Sequence, residues 1–468
     1  MSPLQRTVLA IAIVFGNHAL ARADPLVVGG EARTGLGLTI FESGFAVVAD
    51  RRRADIPSGP SEIRFDDVAA GMRPETARVS GDGLTVRAQV FDNDVLTLDR
   101  LAAAHVGKNV GLKRTDARNG GKKIVPAKII AARDGRMAVE VENRIEWDYV
   151  ENLVVDRIPG NLAIKPALIA SVFNPQARKN LELKLLYMTN DLTWSADYVA
   201  NLNAEDTEMD LSVWATVVNN GETDFPNAEL ALLSGDVHRT APKMAPRGTM
   251  RAETAMMANA EPAPGIDREA LSGYHLYKVD EPHRIGPRQS RRIALIKAPA
   301  VAIEIEHVIS GQVSNIHGRR EGVVRGKAMR RVVFANDAAS RLGLPLPAGV
   351  VRFYRGDTFI GEDRLNHLAK GTRSEPTLGR DSDIGYERTQ TDYVRHDNRL
   401  IETAHRISVA NGSERAMTVR VEEPMTGEWE ILKESPRHAK ATAHRADWKL
   451  EIPAGGTREL TYRVRTRF

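Results

Sequence analysis

Met417-Thr418-Val419-Arg420-Val421-Glu422 alternates apolar and polar residues without a break, and the runs Asp447 to Ile452 and Leu460 to Arg465 do the same. Successive side chains of a strand point to opposite faces, so each run buries one face and wets the other. Turn residues separate the runs at Asn411-Gly412, Pro424 to Gly427 and Pro453 to Gly456. Short amphipathic strands joined by tight turns build an antiparallel sandwich. The stretch 386–468 is therefore expected to be a β-sandwich, immunoglobulin-like in architecture. No disulfide braces it, because the chain has no cysteine.

The period of two extends back toward the N-terminus. Leu181 to Tyr187, Asp197 to Leu202, Met209 to Val218 and Ala228 to Leu233 read as strands of a central β domain over 176–385. Inside it the period vanishes between Thr240 and Glu269, where Pro242, Pro246, Pro262 and Pro264 fall, and a mobile loop is expected. An N-terminal β domain is expected over 24–175, with strands at Leu38 to Phe41 and Phe45 to Val48. One short helix is expected from about Leu96 to Val106, with Asp94 as its cap and Gly107 as its end. Strands at Val110 to Lys113, Ala127 to Ala132, Met137 to Val141 and Tyr149 to Val154 follow, with a hairpin at Asp134-Gly135. They suit a small barrel-like insert at about 107–157. The fold class is all-β, with several antiparallel sandwich or barrel domains.

The leading residues carry a different pattern. Arg6 precedes the apolar stretch Thr7 to Phe15, and Ala21-Arg22-Ala23 follows. Basic, apolar and small-x-small parts in this order make a secretory signal peptide over 1–23, with the mature chain starting at Asp24. The apolar stretch is too short to span a bilayer, which takes about 20 residues. No later stretch is long enough, so no membrane span is expected after cleavage, and the protein is expected in the periplasm or outside the cell. A net charge of +4 is slight and does not call for nucleic acid. An exported chain without disulfides rests on its core, and this length can build a large one.

Tyr187-Met188-Thr189-Asn190-Asp191-Leu192-Thr193-Trp194-Ser195-Ala196-Asp197-Tyr198 resembles the signature of a domain of unknown function found in exported bacterial proteins. The mucoidy-inhibitor-like proteins share that domain. Val217-Val218-Asn219-Asn220-Gly221, Tyr274-His275-Leu276-Tyr277 and Leu344 to Gly349 extend the resemblance, as does Phe359 to Asp363. It covers nearly the whole mature chain. Asn190-Asp191 stands where relatives carry a glycine pair, and both residues tolerate left-handed turns. The resemblance implies a secreted β-rich protein and carries no activity, cofactor or catalytic residue.

Chemistry-bearing motifs are sparse. Glu362, Asp363 and His367 form the best metal-like set, but they follow an expected strand, where such spacing does not converge, so no metal site and no cofactor is expected. Ser234 sits in Leu-Ser-Gly-Asp without the Gly-x-Ser-x-Gly elbow, and thiol catalysis is excluded. Gly35-Leu36-Gly37 is too short for a nucleotide loop. Of five tryptophans, Trp194, Trp214, Trp429 and Trp448 fit core positions, and Trp147, between Glu146 and Asp148, is the exposed one, suited to stacking on sugar rings. His275, alternating with Tyr274 and Tyr277, fits an interior position. The largest charge bias is Arg284 to Arg331, opposed by Glu304, Glu306 and Glu321. Arg319, Arg320, Arg325 and Lys327 are the candidate binding residues there, for an anionic envelope component such as a lipid headgroup, an acidic glycan or a protein. The function expected is a non-enzymatic envelope protein that binds or scaffolds a surface component. The alternative is a hydrolase of an envelope polymer.

Overall fold

The structure, a computed structural model, describes residues 25–93, 96–115, 120–157, 165–235, 268–271, 274–311 and 318–468, with side chains outside 268–274 and 440–441. The expected signal segment 1–23 lies outside these residues. So does the expected loop 240–269, apart from Arg268 and Glu269 at the start of a short strand. Strands dominate and the described residues contain one α-helix, so the fold is all-β as the alternation predicted.

Two compact units divide the chain, one of residues up to 35 with 49–187, the other of 36–48 with 188–468. This differs from the three-part division expected from the sequence. The strand Thr377–Arg395 runs unbroken through 385 and 386. Its pairing shifts register against both neighbouring strands, so it lacks a clean period of two and reads as an interruption.

In the first unit a four-stranded sheet has the order Leu26–Val28, Gly59–Asp66, Ala167–Asn174, Thr85–Asp92. The first pair is parallel and the others antiparallel. Ile63, Phe65 and Ala170 are fully buried, and so is Arg52. Arg52 pairs with Asp50 at 2.7 Å and donates to the carbonyls of Val28 at 2.6 Å and Asp66 at 2.8 Å. A buried cation is tolerated only when its N–H groups are met in this way.

The expected insert is a five-stranded antiparallel half-barrel, in the order Arg144–Tyr149, Arg136–Val141, Lys122–Arg133, Asn109–Thr115, Leu153–Val154. The helix Leu98–Ala104 closes its inner face, placing Ala102 among Leu112, Ile129, Met137 and Val139. Thr97 caps the helix by accepting from the Arg100 N–H, whereas Asp94 lies outside the described residues. Gly107 is left-handed, as its position after the helix requires. Asp134 and Gly135 both have positive φ, the mirror-image hairpin turn that matches strand twist. Glu142 and Asn143 make a second such turn. Because Glu-Asn is a weak turn signal, the strand it launches, Arg144–Tyr149, is absent from the sequence reading. The expected strand Tyr149 to Val154 is a 3-10 turn at Val150–Asn152 and the two-residue strand Leu153–Val154.

In the second unit, Phe225–Ser234 runs parallel to the segment Gly37 to Phe41, with Leu232 opposite Ile40. A five-stranded sheet orders Ser290–Ala302, Glu208–Asn219, Leu192–Leu202, Gly349–Arg355 and Thr358–Leu365. The C-terminal part is one ten-stranded sheet that already begins with Glu304–Ser310 and Val323–Ala335. Its layers face each other around Trp448, Ile407, Val409, Val421 and Leu460, with Trp448 stacked on Tyr462 at 5.0 Å. The sandwich expected over 386–468 thus draws its remaining strands from residues before 386.

Candidate functional site

The edge strand Arg144–Tyr149 has its alternation inverted. Ile145, Trp147 and Tyr149 point to solvent, 70%, 71% and 55% exposed, while Asp148 points inward and is 7% exposed. Arg114 reaches both acidic side chains, Glu146 at 2.9 Å and Asp148 at 3.1 Å. Asn152 and the Tyr149 N–H also donate to Asp148. A slip of one residue would bury the aromatic stripe and release the carboxylates to water. The polar clasp on the inner face holds the strand against that slip and keeps three large apolar side chains outside.

Around the stripe the outer face is basic. Lys128 on Lys122–Arg133 and Glu140 on Arg136–Val141 stand in register with Ile145. Arg136 lies opposite Tyr149, its guanidinium 5.3 Å from the ring centroid and one N–H on the phenol oxygen at 3.3 Å. Ala138, opposite Trp147, is too small to cover an indole. Along the outward positions of the neighbouring strands, Lys113, Lys122, Lys128, Arg133 and Arg136 outnumber Glu140, the single carboxylate there among the described residues, and Arg133 also pairs with Asp134 of the adjoining turn at 3.2 Å. Trp147 is thus exposed as expected, and its strand neighbours make it part of a surface.

A second cluster was not legible in the sequence. Ser234, Glu42 and His367 lie far apart in the chain and meet in the second unit. The Ser234 hydroxyl donates to Glu42 Oε2 at 2.9 Å and lies 3.2 Å from His367 Nδ1, and His367 Nε2 is 3.6 Å from the same Glu42 oxygen. The Ala348 N–H donates to His367 Nδ1. Glu362 and Asp363 go elsewhere, Glu362 to Arg352 and Asp363 to the N–H groups of Arg364 and Thr377. Among the described residues no three His, Asp or Glu side chains are grouped to hold a metal ion.

Residues 183–468 match the profile of DUF4139, a domain of unknown function. The chain belongs to the DUF4139 family. No curated protein matches it. The half-barrel and its aromatic stripe precede the matched residues, whereas Ser234, His367 and the basic candidates lie within the DUF4139 segment.

There the basic candidates are dispersed among partners. Arg325 and Lys327 share one exposed face, as their spacing requires. Arg325 pairs with Glu387 across the sheet at 2.7 Å, and Lys327 donates to the Ser382 carbonyl at 2.5 Å. Arg320 gives its backbone N–H to Gln390. Arg319 is exposed and adds to the field that lowers the Asp392 pKa, the first cause being the Arg463 hydrogen bond. Nearby cations are balanced by acids distant in sequence: Arg284 by Asp224 and Arg288 by Glu222 of one turn, and Arg331 by Glu422. Arg420 joins Glu306 and Glu422, both at 2.8 Å, and desolvation, the largest influence on it, is outweighed by those carboxylates. The local excess of arginine is therefore largely answered in three dimensions.

Of the remaining tryptophans, Trp194 and Trp448 are buried and Trp429 packs against the C-terminal core. Trp214 is half-buried on the opposite face of its strand from Val213, under the Arg292 guanidinium at 4.9 Å, and so is not a core residue. His275 is exposed rather than interior.

Proposed function

We propose that this DUF4139 protein is a non-enzymatic, exported envelope protein that binds or scaffolds a surface component. Export rests on the signal pattern of 1–23. The likeness of Tyr187 to Tyr198 to the domain of mucoidy-inhibitor-like proteins agrees with it. The observation that carries the binding reading is the inverted edge strand. Folding alone gains from burying Trp147 and Ile145, so a polar clasp that keeps them in water points to a partner. Lys128 and Arg136 beside them favour an anionic partner. The exposed Arg325 and Lys327, with Arg319 and Arg320, offer a second, weaker basic surface.

The test is co-sedimentation of the purified mature chain with washed cell envelopes. Retention is expected for the unaltered chain and loss for the triple variant Ile145→Ser, Trp147→Ala, Tyr149→Ser. A charge-reversed variant at Arg319, Arg320, Arg325 and Lys327 is expected to lose less. Equal retention of the triple variant overturns the reading.

A hydrolase of an envelope polymer is the second reading, because Ser234 and His367 meet. Two features count against it. Ser234 is fully buried, and the Ala348 N–H occupies the Nδ1 lone pair that would have to take the serine proton. The carboxylate also touches the hydroxyl directly instead of orienting the imidazole from behind. The cluster is suited to clasping the turn at Glu42 to the strand Phe225–Ser234. Labelling by a fluorophosphonate that disappears in Ser234→Ala would favour the hydrolase.

A further inference from the structure

The outer face of the half-barrel combines three features that together select a ligand class. It offers flat aromatic surface, since Trp147 is 71% and Tyr149 55% exposed and they stand two residues apart on one strand. That spacing sets the two rings roughly 7 Å apart along the strand. It offers cations at the same level, because Arg136 is held against Tyr149 and Lys128 stands in register with Glu140. It also keeps one carboxylate, Glu140, beside Ile145.

We infer that this face binds an acidic polysaccharide, with Trp147 and Tyr149 stacking on successive sugar rings and Arg136 and Lys128 pairing with the sugar carboxylates. The inference rests on the binding reading above and gives its surface a ligand class. Sugar rings present apolar C–H faces that suit exposed aromatic rings, and hydroxyls that suit fixed donors and acceptors. Arg136 is pre-positioned by the Tyr149 ring and hydroxyl, and its planar fork matches a carboxylate. Glu140 decides against a lipid surface. Inserting Ile145 and Trp147 into a bilayer would carry this carboxylate, in register with Ile145, out of water and toward anionic headgroups, at a cost in desolvation and repulsion. Against a glycan the same carboxylate accepts from hydroxyl groups. A single-stranded nucleic acid would also stack and pair with cations, and it is separated by experiment.

Calorimetric titration of the mature chain with hexagalacturonate, cellohexaose, a thymidine hexanucleotide and phosphatidylglycerol vesicles tests this. Hexagalacturonate is expected to bind, at least about tenfold more tightly than cellohexaose, and more weakly as salt rises. Trp147→Ala should weaken it about tenfold, and Lys128→Glu with Arg136→Glu should abolish it, with melting temperature recorded for each variant to show that the fold persists. The inference is overturned by no binding of hexagalacturonate at millimolar concentration, by equal binding of cellohexaose, by tighter binding of the hexanucleotide or the vesicles, or by a Trp147→Ala variant that binds as the unaltered chain does. If hexagalacturonate fails while the triple variant still loses envelope retention, the ligand class is wrong and the binding face stands. If retention is also unaffected, both are wrong.

Discussion

His405 is 3% exposed inside the C-terminal sandwich, its ring stacked on Tyr462 at 5.1 Å. Its Nδ1 meets no hydrogen-bond partner among the described residues. Desolvation first, and then the Arg388 cation, push its pKa down to about 3. Arg388 is in turn held by Glu423 and the Tyr462 hydroxyl, which donates to Glu423 at 2.9 Å. The folded pKa of His405 lies below the unfolded value, so the unfolded chain takes the proton first. The stability it contributes is complete above about pH 6.5 and falls as pH drops toward 3, at about 1.4 kcal/mol per pH unit. His405→Phe is expected to lessen the acid sensitivity of the sandwich, read from urea midpoints at pH 7, 5 and 4 on both proteins. Equal slopes with pH would show that carboxylates elsewhere carry the effect. His405 falls in phase with Ile407 and Val409, yet the sequence reading did not single it out. The network around it was not legible, because Arg388, Glu423 and Tyr462 come from three other strands, and alternation says which face a residue takes but not whom it meets there.

At the scale of elements, the half-barrel marks where periodicity works and where it fails. Asp134-Gly135 announced its hairpin because two positive φ values are needed there and these residues supply them cheaply. Gly135→Val is expected to cost about 1–2 kcal/mol, the price of a left-handed conformation for a residue with a Cβ, seen as a lower urea midpoint. The strand Arg144–Tyr149 escaped detection because the alternation rule assumes that apolar residues face in, and here Arg114 draws Glu146 and Asp148 inward. If that clasp sets the register, Arg114→Met should destabilise the protein by about 1–3 kcal/mol, since it strands a nearly buried carboxylate. Trp147→Ala should stay within about 0.5 kcal/mol, as exposed substitutions do. A Trp147→Ala cost as large as that of Arg114→Met would make the stripe a structural feature and remove the argument for a partner.

For the molecule as a whole, the all-β class was legible because period-two runs recur along the chain, whereas its division was not, because every described sheet but the insert's joins strands distant in sequence. The strand Leu26–Val28 shows the same at the N-terminus. It is three residues long and carries no alternation worth reading, yet it pairs in parallel with Gly59–Asp66, Leu26 opposite Ile63 and Val28 opposite Phe65. Val28 is 2% exposed, and its carbonyl takes an N–H of the fully buried Arg52. Signal cleavage after Ala23 would leave this strand whole, with Asp24 and Pro25 ahead of it. The exported protein is therefore expected to have the intact mass of a chain starting at Asp24, and recovery with residues 1–23 attached would refute the export proposal. A chain shortened to start at Gly29 should be destabilised by several kcal/mol. It loses the parallel pairing and the Val28 side chain, and a buried guanidinium gives up one of its carbonyl acceptors, a deficit worth about 1–3 kcal/mol by itself. Urea unfolding of the two chains measures the difference. An equal midpoint for both would mean that water or a neighbouring group replaces the Val28 carbonyl, and that the strand adds nothing to the core it borders.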